Sequence, residues 1–451
     1  MIDRARIAEL MRREEQRFVR EHPRSAELFD RATRSLLGGV PMPWMTEWAG
    51  PFPVFVDEAH GARFTDVDGH EYVDFCLGDT GAMTGHGPKA VVEVLVERSA
   101  DGITLMLPTE DAIWVGEEMA RRFGLPTWQF CLTATDANRF TIRLAREITG
   151  RSRILVFNWC YHGSVDETVV TLAGGLVRPR KDNVGPPVDP AVTTRVVEWN
   201  DLDGLERELA HGDVACVLTE PALTNIGIVL PEPGFHDGLR ELTRRFGSYL
   251  VIDETHTICA GPGGYTRAFG LEPDFVTIGK PLASGVPAAC YGMSKEVADG
   301  VQDRFDRMDL TDVGGIGGTL SGNALSLAAM RATLEHVLTE DAFAHMIGLA
   351  ERWADGVKAV IDGHGLPWEV QRLGARAEYW FCPSPPRTGG EAAAADDHEL
   401  ARLLHLHALN RGILLTPFHN MALMCPDTTE DDVDAHTRAF DEAAAELAFA
   451  S

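Results

Sequence analysis

Basic residues are in short supply in this sequence, with 41 lysines and arginines against 68 aspartates and glutamates and a formal net charge of −27. A surface of that sign repels nucleic-acid phosphates and anionic membranes, so neither is an expected partner. Long apolar runs are also missing, since no stretch approaches the roughly 20 residues of a membrane helix and the first residues lack a signal-peptide core. These absences favour a soluble, cytoplasmic protein.

Cysteine is sparse and scattered. The eight cysteines form no C-x-x-C pair and have no histidine beside them at metal-ligand spacing. We therefore expect no metal site, and most of these thiols are expected to be small buried side chains in a reducing compartment.

The order of sequence patterns predicts an α/β protein with two domains. Between residues 78 and 332, helices alternate with short apolar runs such as RILVF and SYLVIDE, which are typical of parallel strands buried on both faces. Residues 54–75 alternate apolar and polar side chains, as short antiparallel strands do. We predict a large, mostly parallel-sheet domain at 78–332 and a smaller α+β domain built from residues 1–77 and 333–451.

Lysine is the rarest charged residue, with five in all, and Lys280 differs from the other four in its surroundings. It ends the apolar run DFVTIGK and precedes PLASGVP, so its amine is placed at a strand end beside a loop. A desolvated lysine amine is a usable nucleophile toward aldehydes. Taken alone, a snorkelling lysine at a strand end is the simpler interpretation.

Asp253 follows another apolar run, VIDE, at the edge where open α/β sheets bind ligands. A buried carboxylate needs a partner, and a pyridinium nitrogen is one, because the carboxylate keeps the ring protonated as an electron sink. An aspartate that caps the turn after the strand is the alternative.

Two further segments are candidate phosphate sites. In FCLTATDAN a strand runs into Thr133-Ala134-Thr135 and then a helix, whose first N–H groups would face an anion, although a threonine N-cap explains the same residues. The glycine-rich GGIGGTLSGN around Thr319 would close over a phosphate or form a tight loop.

In order and spacing, these segments resemble the class III aminotransferases among the fold type I enzymes that use pyridoxal 5′-phosphate. The resemblance covers nearly the whole chain and is closest to the branch of glutamate-1-semialdehyde aminomutases and β-amino-acid aminotransferases. Its motifs are DVDGHEYVDF, GHGP, TATDAN, YHG, WND, EP, DETHT, PDFVTIGKPLASG and GTLSGN.

The resemblance implies a role for each matching residue. Lys280 would carry the cofactor as a Schiff base and Asp253 would face its ring nitrogen. The other implied cofactor contacts are a stacking ring at Tyr161, phosphate contacts at Ala134 and Thr135, a contact at Glu220, a packing residue at Thr255, and Thr319 reaching the neighbouring subunit's phosphate. A homodimer with shared sites is therefore expected.

The substrate is less well indicated, because the family's arginine after the GGV motif is replaced by Met45 and the late loop TPFHNMALM has no arginine. A bidentate carboxylate clamp is missing at both places. Trp44, Trp48 and Phe418 suggest an aromatic pocket for a hydrophobic amine, or simple packing. A carboxylate contact from one of three other arginines stays open: Arg178, Arg180 or Arg411.

From these features we predict an aminotransferase that moves an amino group from an amine or amino acid to a keto acceptor such as pyruvate. An isomerase of the aminomutase or epimerase type is the alternative, and it would need no added acceptor. A binding protein without catalysis is a third reading, which the combination of Lys280, Asp253 and Tyr161 disfavours.

Overall fold

The computed structural model describes residues 3–181, 183–185, 188–307 and 314–448. Its α-helices, in chain order, are α1 (Arg4–Glu21), α2 (Pro23–Ala32), α3 (Lys89–Asp101), α4 (Glu110–Phe123), α5 (Ala134–Thr149), α6 (Pro190–Thr193), α7 (Leu202–Leu209), α8 (Phe235–Phe246), α9 (Gly264–Ala268), α10 (Lys295–Arg307), α11 (Ala324–His336), α12 (Glu340–Gly363), α13 (Gly389–Ala394), α14 (His398–Leu409) and α15 (Glu430–Ala448).

The strands, again in chain order, are β1 (Val56–His60), β2 (Arg63–Asp66), β3 (Glu71–Asp74), β4 (Thr127–Cys131), β5 (Arg153–Phe157), β6 (Val170–Ala173), β7 (Leu176–Pro179), β8 (Thr194–Val197), β9 (Val214–Thr219), β10 (Tyr249–Asp253), β11 (Phe275–Ile278), β12 (Ala289–Met293), β13 (Glu369–Leu373), β14 (Arg376–Trp380), β15 (Ile413–Leu414) and β16 (Met421–Leu423).

The chain forms two compact units. One contains Met1–Pro88, Ala344–Pro385 and Ala395–Ser451, and the other contains Lys89–Phe343 and Pro386–Ala394. The predicted domain bounds of 1–77, 78–332 and 333–451 stay a prediction, because spatial proximity does not show which segments fold independently.

The larger unit, 89–343 with 386–394, is organised around a seven-stranded sheet in the order β4-β12-β11-β10-β9-β5-β8. Strands β8, β5, β9, β10 and β11 run parallel, and β12 runs antiparallel to both β11 and β4. Every residue of β9 is buried, as the apolar run VACVLT requires for a strand covered on both faces. The predicted α/β class with a mostly parallel sheet is confirmed.

The smaller unit contains both chain ends and two antiparallel-rich sheets, β1-β2-β3-β15 and β13-β14-β16. Strand β2 pairs antiparallel with both β1 and β3, which confirms the short antiparallel strands predicted for residues 54–75. Part of its core joins Phe18 of α1, Tyr72 of β3 and Leu406 of α14. These apolar contacts hold both chain ends in one unit.

No helix among the residues that the structure describes is long and apolar enough to span a membrane.

Candidate active site

Lys280 lies two residues beyond the carboxyl end of β11, in a single 3₁₀ turn, Lys280–Ala283. Its backbone is left-handed, with φ 51°, a conformation that costs a residue with a Cβ about 1 kcal/mol or more. The preceding Gly279 lies against the start of α5, where an added Cβ would be 3.0 Å from the Ala134 nitrogen. The residue before Lys280 is thus held against the start of α5.

Asp253 ends β10, the strand next to β11, and is almost fully buried. Its Oδ2 accepts from Asn138 Nδ2 at 2.8 Å and contacts His162 Nδ1 at 2.9 Å, while its Oδ1 accepts from the Thr255 N–H at 3.1 Å. Burial opposes the charge, but bonds from His162, Thr255 and Asn138 outweigh it and hold the pKa of Asp253 below its ordinary value. The carboxylate is kept ionised.

His162 and Asn138 support Asp253, and neither was assigned a role from the sequence. Burial disfavours an imidazolium, but the Cys160 sulfur and the Asp253 carboxylate outweigh it and raise the pKa of His162 to about 10. Asn138 also accepts from Thr277 Oγ1 at 2.6 Å, which fixes its amide orientation. The signal was present in YHG and TATDAN, where both residues lie beside ones that were assigned.

The start of α5 presents anion-binding donors. Thr133 caps the helix by accepting from the Asp136 N–H at 3.1 Å, and the first bond back to the preceding turn comes from Ala137. The N–H groups of Ala134 and Thr135 therefore point out of the helix end, where its dipole favours negative charge. Thr133 is the N-cap that the sequence left open, and this role is compatible with a phosphate beside it.

Thr135 is fixed from the side by the YHG turn. Its Oγ1 accepts from the Ser164 N–H at 3.0 Å, and Gly163 approaches so closely that a Cβ there would lie 2.1 Å from that oxygen. Gly163 also has φ 74°, so a side chain at this position is disfavoured both by the clash and by the left-handed backbone.

Glu220 follows β9 and is buried beside Tyr161. Its Oε2 accepts from the N–H of Thr224 at 3.1 Å and also from the Thr224 hydroxyl, while its Oε1 lies 3.5 Å from the Tyr161 nitrogen. Burial raises the pKa of Glu220 to about 7. This acid can thus change protonation state near neutral pH.

Thr255 and His256 connect the end of β10 to the lysine turn. The Thr255 hydroxyl accepts from the Gly279 N–H at 3.3 Å, so this side chain is bonded to the residue before Lys280. His256 Nε2 lies 2.7 Å from Lys280 Nζ, a pair that was not predicted from the sequence although DETHT contains the histidine.

The structure brings together, in the larger unit, the residues expected to touch the cofactor, apart from Thr319. Thr319 is exposed, and its expected reach into a neighbouring subunit stays a prediction. The expected substrate-pocket residues belong to the smaller unit, where the rings of Trp44 and Phe418 are 4.8 Å apart, Met45 is exposed and Trp48 is half-buried. Their role in a pocket also stays a prediction.

The donor set fits pyridoxal phosphate. Helix N–H groups at Ala134 and Thr135 suit a phosphate, ionised Asp253 suits a protonated ring nitrogen, and Lys280 supplies the amine. His162 Nε2 is buried with no hydrogen-bond partner in the described part of the chain, so a nitrogen next to Asp253 is left to bond a further polar group. A side chain at Gly163 would collide with Thr135, and one at Gly279 would crowd Ala134, so both glycines keep the start of α5 clear of side chains.

Comparisons with known proteins agree with this geometry. Residues 44–442 match the family model "Aminotransferase class-III". A glutamate-1-semialdehyde 2,1-aminomutase from Sorangium cellulosum is 35% identical, with 94% of this chain and 96% of that protein covered. The crystal structure of a glutamate-1-semialdehyde aminomutase from Pseudomonas aeruginosa PAO1 is 52% identical, with a TM-score of 0.97 and 99% of both chains covered. An omega-transaminase from Sphaerobacter thermophilus is 28% identical, with a TM-score of 0.84 and 94% and 97% covered.

These relatives correct the functional prediction. An aminotransferase that passes the amino group to pyruvate was expected, but the full-length relatives at 35% and 52% identity are named as aminomutases, which are isomerases. The error has a physical reason: a lysine amine and a buried aspartate are suited to both reactions. The methionine at position 45 excludes an arginine there, but it does not exclude a carboxylate contact from another part of the chain. The findings favour the isomerase alternative.

The cofactor prediction is confirmed. A variant of the Pseudomonas enzyme, also 52% identical to this chain, was crystallised with PMP, the amino form of the cofactor. The protein is thus an enzyme that uses pyridoxal 5′-phosphate on small-molecule substrates, and its chain belongs to the class III aminotransferase family.

Proposed function

We propose that this enzyme is an aminomutase that exchanges the amino and oxo groups of adjacent carbons in an amino aldehyde of the glutamate-1-semialdehyde type. The observation that carries the proposal is 52% identity over 99% of the chain to an aminomutase of that name. In this reaction the nitrogen leaves C2 and arrives at C1 while the oxygen moves the other way. No second substrate is consumed.

The chain's residues supply proton handling and charge. The cofactor, when bound, supplies the group that carries nitrogen and the ring that withdraws electrons from the reacting carbon. Lys280 Nζ takes a proton from one substrate carbon and returns it to the other, because it is the amine at the strand end. Asp253 is a buried carboxylate that would face the protonated ring nitrogen, and the hydrogen bonds from His162 and Asn138 stabilise its negative charge.

Phosphate binding falls to the N–H groups of Ala134 and Thr135 at the start of α5, with Thr319 of the partner subunit completing it. A homodimer is supported by the exposed apolar side chains of Leu105, Met106 and Leu107 in the larger unit. Leu107→Glu is expected to yield a monomer in light scattering, whereas Val192→Glu, at an exposed valine on α6, is expected to leave the dimer intact. A dimeric Leu107→Glu protein would contradict this surface as the interface.

We further propose that Arg180 binds the carboxylate of the substrate, in place of the arginine missing at Met45. Its Nη2 donates to the Cys160 carbonyl at 2.5 Å, next to Tyr161, and its guanidinium lies 5.4 Å from the Trp159 ring centre. Its Nε is buried without a hydrogen-bond partner in the part of the chain that the structure describes.

The other two candidate arginines are less suitable. Arg411 forms ion pairs with Glu14 and Glu442, so its charge is already matched. Arg178 is exposed on β7. Losing a hydrogen bond to a charged group costs about 1.5–3 kcal/mol, so Arg180→Gln should raise KM roughly 10- to 100-fold. Arg178→Gln, two residues away, is the matched control, and equal KM values for the two variants would remove Arg180 from this role.

The test of the reaction is to incubate the purified enzyme with glutamate-1-semialdehyde alone and follow the 5-amino-4-oxo isomer by chromatography. We expect conversion far beyond one equivalent per site with no keto acid present. Turnover that stops after one equivalent and resumes only with pyruvate would overturn the proposal. We also propose a cytoplasmic location, because all eight cysteines are free thiols.

A further inference from the structure

His256 is placed against the amine of Lys280. It is the third residue after Asp253, is 9% exposed, and its Nε2 lies 2.7 Å from Lys280 Nζ. This is a hydrogen-bond distance between two nitrogens that are both bases. One of the two must therefore donate while the other accepts.

A shared hydrogen bond restricts the charge of the pair. If the imidazole and the amine were both protonated, neither nitrogen would have a lone pair to accept, and two positive charges would repel at contact distance. Lys280 can act as a nucleophile or a base only after it has lost its ammonium proton. His256 Nε2 is an acceptor at hydrogen-bond distance from that amine.

Two acids close to His256 in sequence have hydrogen bonds of their own. Asp253 is bonded to His162, Asn138 and the Thr255 N–H. Glu254, the residue before Thr255, is fully buried and accepts from the Thr257 hydroxyl and from two N–H groups of α9, at Tyr265 and Thr266.

Glu220, another acid of the site, accepts from the Thr224 N–H. The His256 imidazole lies against the Lys280 amine itself, and this direct contact makes it a base in position for the proton of that amine.

We propose that His256 is a second proton-handling residue of the site and acts as general base toward Lys280. Its Nε2 accepts a proton from Nζ, so that the Nζ–H bond breaks, an Nε2–H bond forms and the amine becomes neutral. The reverse transfer returns the proton from Nε2 to Nζ and restores the ammonium, which is not nucleophilic. The proposal rests on Lys280 being the reacting amine, but not on which substrate the enzyme uses.

The test follows cofactor loading rather than turnover. Apoprotein is mixed with pyridoxal 5′-phosphate at a series of pH values, and the rate at which the visible absorbance of the bound cofactor develops is recorded. For the wild type we expect a rate that levels off once histidine is neutral. For His256→Gln, which keeps the size and a hydrogen bond but does not titrate, we expect loading at least tenfold slower at neutral pH.

The difference should shrink at high pH, where amines lose their proton to hydroxide without help. Exposed His211→Gln serves as the control and should load as the wild type does. If His256→Gln does not fold, His256→Ala is loaded with and without imidazole in the buffer, and imidazole should restore the rate.

An unchanged pH profile in His256→Gln, or no rescue of His256→Ala by imidazole, would overturn the proposal. A uniform loss at every pH would also overturn it and leave His256 with a packing role. Because no substrate is present, failure here is distinguishable from failure of the aminomutase proposal.

Discussion

Replacing Gly163 by alanine tests how the YHG turn positions Thr135, the threonine proposed to bind the cofactor's phosphate. The new Cβ would lie 2.1 Å from Thr135 Oγ1 and 3.1 Å from its Cα, so Thr135 itself must shift. Alanine at φ 74° costs about 1 kcal/mol, forced repacking about 2 kcal/mol, and loss of the Ser164 hydrogen bond about 1 kcal/mol. We expect a total loss of about 4 kcal/mol in the free energy of unfolding.

Gly174→Ala is the matched control for this variant. Gly174 has φ 60° in the turn between β6 and β7, and a Cβ there would meet nothing within 4 Å. It therefore bears the same backbone cost without the clash, and we expect a loss of about 1 kcal/mol.

Denaturant unfolding of the two apoproteins measures the gap of about 3 kcal/mol, and titration with pyridoxal 5′-phosphate measures affinity. Only Gly163→Ala should bind the cofactor at least tenfold more weakly, because the N–H groups at the start of α5 move with Thr135. Equal stability and equal affinity in the two variants would refute the reasoning.

Three further changes have expected outcomes. The pKa of Glu220 is raised from 4.5 to about 7, so between these pH values the folded apoprotein keeps a proton that the unfolded chain releases. The free energy of unfolding should therefore fall by about 3 kcal/mol as the pH rises from 4.5 to 7. Glu220→Gln should remove that fall in urea titrations at pH 5 and pH 8, and a parallel decline in the variant would contradict the pKa. Lys280→Ala should lose the visible absorbance of the covalently held cofactor, and retention of full activity would remove Lys280 from its role. Thr133→Ala should lower the free energy of unfolding by about 1 kcal/mol through loss of the α5 cap, whereas an unchanged urea midpoint would show that the cap contributes nothing.

The sequence predicted the features that leave a local pattern. Burial on both faces makes β9 and β10 continuous apolar runs, and chemistry at sheet edges puts Asp253 and Lys280 directly after such runs. The direction of β12 could not be predicted in this way, because an antiparallel strand inside a covered sheet has the same composition as its parallel neighbours.

The partners of the site residues were also beyond local reasoning. His162 and Asp253 are 91 positions apart, and Asn138 and Asp253 are 115 apart, so their contacts exist only once the sheet has formed. The reaction was mispredicted for another reason: a lysine amine and a carboxylate suit both the transfer of an amino group to a second substrate and its transfer within one molecule.

The left-handed backbone at Lys280 has a consequence for stability screens. A glycine there would relieve about 1 kcal/mol that neither lysine nor alanine can avoid, so Lys280→Gly should unfold at higher denaturant than Lys280→Ala while being just as inactive. Among the five lysines of the chain, all of which the structure describes, only Lys280 has this backbone conformation, so a gain in stability on replacement by glycine is expected there and not at the other four.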